Sequence, residues 1–170
     1  MDAYLAVVSK REVRRYDSRP LGQDAERRIL EAGRIAGSSK NRQARRFVVL
    51  RDREFVEEAA QSVYEPQNIR GATLVVAIVV GGKGPTAFDA GRAAQNMMLA
   101  ASNDGIGSSP NGIADAERLA AAVGHERDES VAIVLTFGYP ARPRNPEARS
   151  AQEWIASADR KSYEELVEER

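Results

Sequence analysis

Four basic residues within six positions form the first cluster whose residue types could do chemistry. Lys10, Arg11, Arg14 and Arg15 all lie in the stretch SKREVRRYD. The planar guanidinium of arginine binds a phosphate through two parallel hydrogen bonds, so this cluster suits an anionic ligand. A solvated basic patch would use the same residues, and the local sequence leaves both interpretations open.

A polar loop forms the second cluster, the stretch GSSKNRQ at residues 37–43. Its hydroxyl and amide side chains are the donors and acceptors that bind the edges of a heterocycle, and they belong to Ser38, Ser39, Asn41 and Gln43. A helix-to-strand connection usually needs only a few residues, so the loop has more hydrogen-bonding capacity than a turn requires. A solvated loop remains the alternative.

The third cluster is the glycine-rich stretch DGIGSSPNGIAD at residues 104–115. Small residues there would let the backbone approach a flat ligand and direct its N–H groups at it. Taken alone, the stretch is also explained as a loop that simply connects two helices.

Groups for acid, base or metal chemistry are scarce in this chain. There is no cysteine and only one histidine. These counts exclude disulfides, thiolate metal sites, a cysteine nucleophile and a histidine-rich metal site. No catalytic triad or carboxylate pair is recognisable either, so an enzymatic function would require a bound cofactor that performs the chemistry.

Length and net charge narrow the classes of protein that this chain can belong to. The chain has 170 residues, which suits one domain with one sizeable core. Its 25 basic and 25 acidic residues cancel, so no global charge points to nucleic acid or to an anionic membrane. The apolar start is too short for an ordinary signal peptide, and no run reaches membrane-spanning length. We therefore expect a cytoplasmic protein without nucleic-acid or membrane partners.

Hydrophobic patterning predicts a mixed helix and strand domain with a sheet of three to five strands. The longest helix is rich in small residues, ends at a glycine and carries apolar residues on more than one stripe, which predicts a central place or a subunit interface. After residue 140 the proline-rich segment is expected to run extended before a last helix. Helices are predicted at 24–36, 53–63, 86–105, 115–124 and near the C-terminus, and strands at 46–52, 72–80 and 130–138.

Taken together and in this order, the clusters resemble the nitroreductase family of FMN-dependent oxidoreductases. The matching stretches are SKREVRRYDSRPL, ILEAGRIAGSSKNRQARRFVVL, FDAGRAAQNMMLAASNDGIGSSPNGIAD and VLTFGYPA. The resemblance implies an α+β sandwich, a mostly antiparallel sheet flanked by helices, over residues 1–170 with a C-terminal arm at 140–170. It also implies a homodimer that holds two FMN molecules in its interface.

The resemblance further implies a set of cofactor-binding residues. The phosphate and ribityl chain of FMN would contact Lys10, Arg11 and Arg14, together with Arg160 near the C-terminus. The ring system would contact the polar loop of the other subunit through Ser38, Ser39, Asn41 and Gln43. Backbone groups near the reactive nitrogen of the ring would come from Ser109, Pro110, Asn111 and Gly112.

Four positions depart from the usual family pattern. Glu12 replaces a common serine, and we expect it to pair with Arg14 or Arg15. Gly37 replaces a common proline, and Ala44 and Arg45 interrupt the usual tryptophan-containing stretch. The chain is also too short for the helical insertion that covers the flavin in larger members, which predicts an open site or one covered by the C-terminal arm.

The function implied by the resemblance is hydride transfer from NADH or NADPH through FMN to a nitroaromatic or quinone-like acceptor. Two alternatives stay open from the sequence. One is a flavin-binding sensor or storage module without redox turnover, and the other is a dimeric fold that has lost the cofactor.

Overall fold

The computed structural model describes residues 2–126 and 128–170, and the chain divides into two compact units. The main unit holds residues 12–126 and 128–144, and the terminal unit joins residues 2–11 to residues 145–170. The helices in chain order are α1 (Ala3–Ser9), α2 (Gln23–Arg34), α3 (Arg53–Gln61), α4 (Pro66–Arg70), α5 (Thr86–Asn103), α6 (Ala116–Val123), α7 (Ala151–Ala156) and α8 (Tyr163–Leu166).

The main unit is built on a four-stranded antiparallel sheet, which confirms the predicted α+β sandwich. Its strands are β1 (Arg45–Leu50), β2 (Leu74–Gly81), β3 (Gly107–Asn111) and β4 (Glu129–Gly138). The spatial order is β1-β2-β4-β3, and all three pairings are antiparallel. The run LVVAIVV in β2 is apolar without alternation because helices cover both of its faces.

Alternate residues of β2 belong to two separate cores. Leu74, Val76, Ile78 and Val80 pack with α2 and α5 on one face of the sheet. Val75, Ala77 and Val79 pack with α3, α4 and α6 on the other face. This period of two is the expected consequence of strand geometry, and it makes the main unit a sandwich of three layers.

The long helix α5 lies against both the sheet and α2. Its buried face includes Ala93, Ala94, Met97 and Ala101. The approach to α2 is close, because a Cβ added at Gly33 would lie 2.7 Å from the sulfur of Met97. The opposite face of α5 is exposed, and Phe88 there is 66% accessible.

Strand β3 lies within residues 104–115, a stretch in which the sequence predicted no strand. Glycine, serine, proline and asparagine are poor strand formers, so the pattern gave no strand signal. The strand forms because β3 is the last strand of the sheet and pairs only with β4. An edge position accommodates Pro110, which has no N–H to donate to the ladder.

The terminal unit is built around Trp154, a residue that is 7% accessible. Its indole N–H donates to the carbonyl of Pro146 at 2.8 Å, and the guanidinium groups of Arg11 and Arg149 lie 5.3 and 5.1 Å from the ring centre. Helix α7, which carries Trp154, was not predicted, although Ser150 and Glu153 form a complete capping box at its start. Within the described residues, no helix is both long and apolar enough to cross a membrane.

Candidate active site

The segment that carries Arg14 is fixed to the edge of the sheet by backbone hydrogen bonds. Val13 donates to the carbonyl of Ser108 on β3 at 2.9 Å, and Asp17 donates to the carbonyl of Tyr139 at 2.8 Å. The carbonyl of Arg15 accepts from Ala141 at 3.0 Å. The side chain of Arg14 is exposed, so a guanidinium stands at the surface on a backbone that is held from both sides.

Two glycines let this segment approach the sheet. A Cβ added at Gly107 would lie 2.7 Å from the side chain of Val13, and one at Gly138 would lie 2.8 Å from the ring of Tyr16. Real Cβ atoms do not tolerate such contacts, because protein interiors are already close-packed. The glycines therefore serve the packing of the basic segment as well as the strands that contain them.

A buried network of polar side chains lies under β3. The hydroxyl of Tyr16 donates to the carbonyl of Val13 at 2.6 Å and lies 3.1 Å from the hydroxyl of Thr136. Thr136 donates to the carbonyl of Ser109 at 3.2 Å, and it accepts from the amide of Asn111 at 3.2 Å. Burial raises the pKa of Tyr16 from 10.0 to about 12, although its hydrogen bond to Thr136 acts in the opposite direction.

The position of the Asn111 side chain limits how this residue can meet a ligand. Asn111 is 3% accessible, and its amide nitrogen also donates to the carbonyls of Ser109 and Val134, each at 3.2 Å. Its amide oxygen is buried without a hydrogen-bond partner, as is the hydroxyl of Ser108. The side chain of Asn111 is therefore part of the sheet, which leaves backbone groups for any ligand at this strand.

Gly112 follows β3 and is exposed. Its carbonyl accepts from the backbone N–H of Tyr64 at 3.2 Å, and Val63 forms a β-bridge with Ile113. Beside the half-buried Pro110, this residue gives the end of β3 a backbone without a protruding side chain. A Cβ added at Gly112 would lie 3.1 Å from Cδ2 of Tyr64, so the glycine leaves room for the ring of Tyr64 beside the end of β3.

The polar loop at residues 37–43 has an unusual backbone. Lys40, Asn41 and Gln43 have φ angles of 52°, 53° and 53°, in the left-handed region that residues with a Cβ seldom adopt. Each such residue costs about 1 kcal/mol or more, so surrounding contacts must hold the loop in this shape.

Hydrogen bonds supply part of that support. The backbone N–H of Ser39 donates to the carboxylate of Asp89 at 3.0 Å, which ties the loop to the first turn of α5. Gln43 donates through its backbone to the hydroxyl of Ser38 at 2.9 Å. Ser38 and Ser39 are half-buried, whereas the side chains of Asn41 and Gln43 are exposed.

Two of the departures from the family pattern have a structural explanation at this loop. The guanidinium of Arg45 donates to the carbonyls of Gly33, Arg34 and Ala36, where helix α2 ends. A cation suits that position because the last carbonyls of a helix have no partner within it. At Gly37, an added Cβ would lie 2.6 Å from the guanidinium of Arg92, so glycine leaves room for this arginine.

The polar loop and the start of β3 are attached to opposite ends of α5. The loop bonds to Asp89 in the first turn of α5, while Ile106, just before β3, donates to Ala101 near its last turn. Twelve positions separate Asp89 from Ala101, which is about 18 Å along an α-helix.

The other three predicted residues belong to the terminal unit. The guanidinium of Arg11 donates to the carbonyls of Val8 at 2.7 Å, Lys10 at 3.0 Å and Trp154 at 2.8 Å. Arg11 therefore has a structural role in the terminal unit, because its hydrogen bonds link the end of α1 to α7. Lys10 is half-buried, and Arg160 is exposed and donates to the carbonyl of Ala158 at 3.0 Å.

Sequence reasoning missed the residues that position these clusters. Thr136 was available as a signal, because it is the one polar residue inside the buried run AIVLTF of β4. Asp89 was available too, since it is an acid on the otherwise apolar face of α5. Tyr16 carried no signal, because its role depends on contacts with residues more than a hundred positions away.

Known proteins share sequence similarity with this chain. The sequence profile of the nitroreductase family matches residues 7–83 and 83–139. A relative from Archaeoglobus fulgidus, described as a candidate NADH dehydrogenase/NAD(P)H nitroreductase, is 27% identical over 144 residues, which cover 79% of this chain and 83% of the relative.

Solved structures share the fold. A candidate nitroreductase from Desulfovibrio desulfuricans, crystallised in complex with FMN, is 27% identical with a TM-score of 0.84, and the match covers 100% of this chain and 98% of that one. The NADPH:FMN oxidoreductase of Vibrio harveyi, crystallised with NAD+, has a TM-score of 0.76 at 22% identity, covering 81% and 68% of the two chains. With the family profile spanning most of its length, the chain belongs to the nitroreductase family.

Proposed function

We propose that this protein is an FMN-dependent oxidoreductase that uses NADH or NADPH to reduce nitroaromatic or quinone-like acceptors, and that it works as a homodimer. The observation that carries the proposal is the family match at residues 7–139. It contains eleven of the twelve residues expected to bind FMN, all except Arg160. A cytoplasmic location belongs to the same proposal.

The residues of the main unit fit the chemistry of FMN. Arg14 offers an exposed cation for the phosphate, and the sequence pattern adds Lys10, Arg11 and Arg160 as further phosphate ligands. The end of β3 offers backbone groups at Ser109, Pro110, Asn111 and Gly112 for contacts along the ring. Ser38, Ser39, Asn41 and Gln43 offer donors and acceptors for the polar edge of the ring.

When bound, FMN supplies the redox chemistry, since it accepts hydride from a nicotinamide and passes electrons to an acceptor. The work left to this chain is binding and orientation. The buried network under β3 fixes the backbone that would meet the ring, and the strained loop presents its hydroxyl and amide groups in one arrangement. Such preorganisation lowers the entropy that must be lost when the reacting groups are aligned.

The exposed face of the long helix α5 supports the homodimer, which the resemblance to the nitroreductase family also implies. The exposed face of α5, with Phe88 and Arg92, offers a surface on which two subunits can meet.

The first experiment is a visible absorption spectrum of the purified protein, before and after anaerobic addition of NADH and then NADPH. A flavin spectrum that bleaches supports the proposal. A flavin that neither nicotinamide bleaches favours a binding module without turnover, and a protein that takes up no FMN contradicts the proposal.

A complementation experiment tests the shared site. The double variant Arg11→Ala with Arg14→Ala and the double variant Ser39→Ala with Asn41→Ala should each lose FMN. When equal amounts are unfolded together and refolded, half of the dimers are mixed and each has one intact site, so about a quarter of the wild-type FMN should return. If each site were built from one chain, no FMN would return.

A further inference from the structure

The side chain of Tyr64 is exposed to solvent beside the end of β3. Tyr64 lies between α3 and α4, and it is 74% accessible although its side chain is large and largely apolar. A Cβ added at Gly112 would lie 3.1 Å from Cδ2 and 3.5 Å from Cε2 of this ring. The ring therefore lies directly against the glycine that follows the strand.

The backbone that carries Tyr64 is held on both sides of the residue. Tyr64 itself donates to the carbonyl of Gly112 at 3.2 Å. The carbonyl of Ser62 accepts from Ala114 at 2.8 Å and from Asp115 at 3.1 Å, while Val63 forms the bridge with Ile113. A tyrosine has few rotatable bonds, so a fixed backbone leaves its ring little freedom to lose on contact with a ligand.

Other exposed aromatic residues have different surroundings. Phe88 lies in the first turn of α5, and its ring lies beneath the guanidinium of Arg92 at 5.9 Å. Tyr4 and Tyr163 belong to the terminal unit. Tyr64 combines high exposure, a fixed backbone and contact with a residue assigned to the cofactor site.

We propose that Tyr64 determines acceptor specificity, by stacking its ring on flat aromatic acceptors that bind beside Gly112. This inference rests on the proposed function, which places the flavin ring along the same end of β3. Aromatic rings attract one another in offset or edge-on arrangements beyond the area they bury. The enzyme would then favour nitroaromatic and quinone acceptors over oxidants that have no ring.

The test compares Tyr64→Ala, Tyr64→Phe and the wild type with three acceptors: 4-nitrobenzoate, 1,4-benzoquinone and ferricyanide. For the two aromatic acceptors, Tyr64→Ala should lower kcat/KM about five- to tenfold, the size expected for one ring contact. For ferricyanide, which offers no ring, kcat/KM should stay within about twofold of the wild type. Tyr64→Phe should behave as the wild type because it keeps the ring.

A binding measurement accompanies the kinetics. Benzoate is a flat ring that the enzyme cannot reduce, and its Kd for the FMN-loaded protein can be followed through the flavin absorption band. Tyr64→Ala should raise this Kd by the same five- to tenfold, about one ring contact. Phe55→Ala is the matched control, since Phe55 is an aromatic residue of α3 that is 43% accessible, and it should leave the Kd unchanged.

The outcomes separate the two proposals. Equal losses for ferricyanide and for the aromatic acceptors, or no loss for any of them, would overturn the role of Tyr64 while leaving the FMN enzyme intact. A wild-type protein that binds no FMN would overturn the proposed function and this inference with it.

Discussion

The polar loop at residues 37–43 and strand β3 are two halves of one proposed cofactor site, yet they are stabilised in different ways. The strand is almost completely buried, and a ladder of backbone hydrogen bonds and the Tyr16–Thr136–Asn111 network hold it. The loop is exposed, has three residues with positive φ, and bonds to α5 through Asp89.

The difference shows how the strand and the polar loop each obtain a defined backbone geometry. A strand inside a sheet inherits its geometry from its neighbours, so almost any small residue suffices there. A loop has no such frame and must obtain its geometry from individual contacts. We therefore expect changes in the strand to alter mainly the free energy of unfolding, and changes in the loop to alter mainly FMN affinity.

The largest effect is expected at Asn111. Asn111→Ala removes a buried amide that donates to Ser109, Val134 and Thr136 and leaves a small cavity, so the free energy of unfolding should fall by about 2–3 kcal/mol. Urea unfolding measures this loss. Asn96→Ala is the control, because Asn96 is exposed and makes only a long bond of 3.4 Å to Ala32; an equal loss there would contradict the role of the network.

Substitutions at Asp89 test the hydrogen bond that attaches the polar loop to α5. Asp89→Ala leaves the backbone N–H of Ser39 without its partner, which should cost about 1–2 kcal/mol of stability and weaken FMN binding as well. Asp89→Asn keeps an oxygen acceptor at the same place and should restore most of both quantities. Titration of the apoprotein with FMN, alongside urea unfolding, distinguishes a released loop from a general loss of structure.

Substitutions at Lys40 test whether its positive φ angle strains the polar loop. Lys40→Gly and Lys40→Ala both remove the charge, but only glycine tolerates a φ of 52° without strain. The glycine variant should therefore be more stable than the alanine variant by about 1 kcal/mol. An alanine variant of equal stability would mean that the left-handed backbone carries no strain here.

Tyr16 should give the smallest effect at neutral pH. Tyr16→Phe removes the hydrogen bond to Val13 and should cost about 0.5–1 kcal/mol. Because burial raises the pKa of Tyr16 from 10.0 to about 12, the neutral phenol stabilises the fold fully below pH 10. That contribution is lost as the pH rises from 10 to about 12.

The alkaline behaviour gives a direct measurement. The wild type should lose stability more steeply than Tyr16→Phe between pH 10 and about 12, and the tyrosinate absorbance should show one late-titrating phenol that the variant lacks. Tyr163→Phe changes an exposed phenol and should keep the late titration. A late phenol that survives in Tyr16→Phe would contradict the assignment.

The sequence predicted those elements whose apolar pattern is strong. The uninterrupted apolar run of β2 indicates a strand buried on both faces, and the long stretch of small and apolar residues in α5 indicates a helix. It did not predict β3, since GSSPN has no apolar alternation and becomes a strand only through β4. It identified the polar loop as chemically unusual from composition. The three positive φ angles and the bond to Asp89 depend on tertiary contacts, which no local pattern contains.

The same limit applies to Arg11. As a residue type it suits a phosphate, and the motif points to one, but its three hydrogen bonds to carbonyls in the terminal unit follow from the packing of α1 against α7. An alanine at this position would affect that packing together with any phosphate contact. The role of Arg14 is easier to isolate, because its side chain is exposed.

Trp154 is the only tryptophan in the chain, and the guanidinium groups of Arg11 and Arg149 lie close to its ring in the terminal unit. Its fluorescence therefore reports on the terminal unit. Emission from a buried indole shifts to longer wavelength when water reaches it, so one spectrum during denaturation would follow the release of the chain ends. Comparison with a probe of the sheet would show whether the two units unfold together or one after the other.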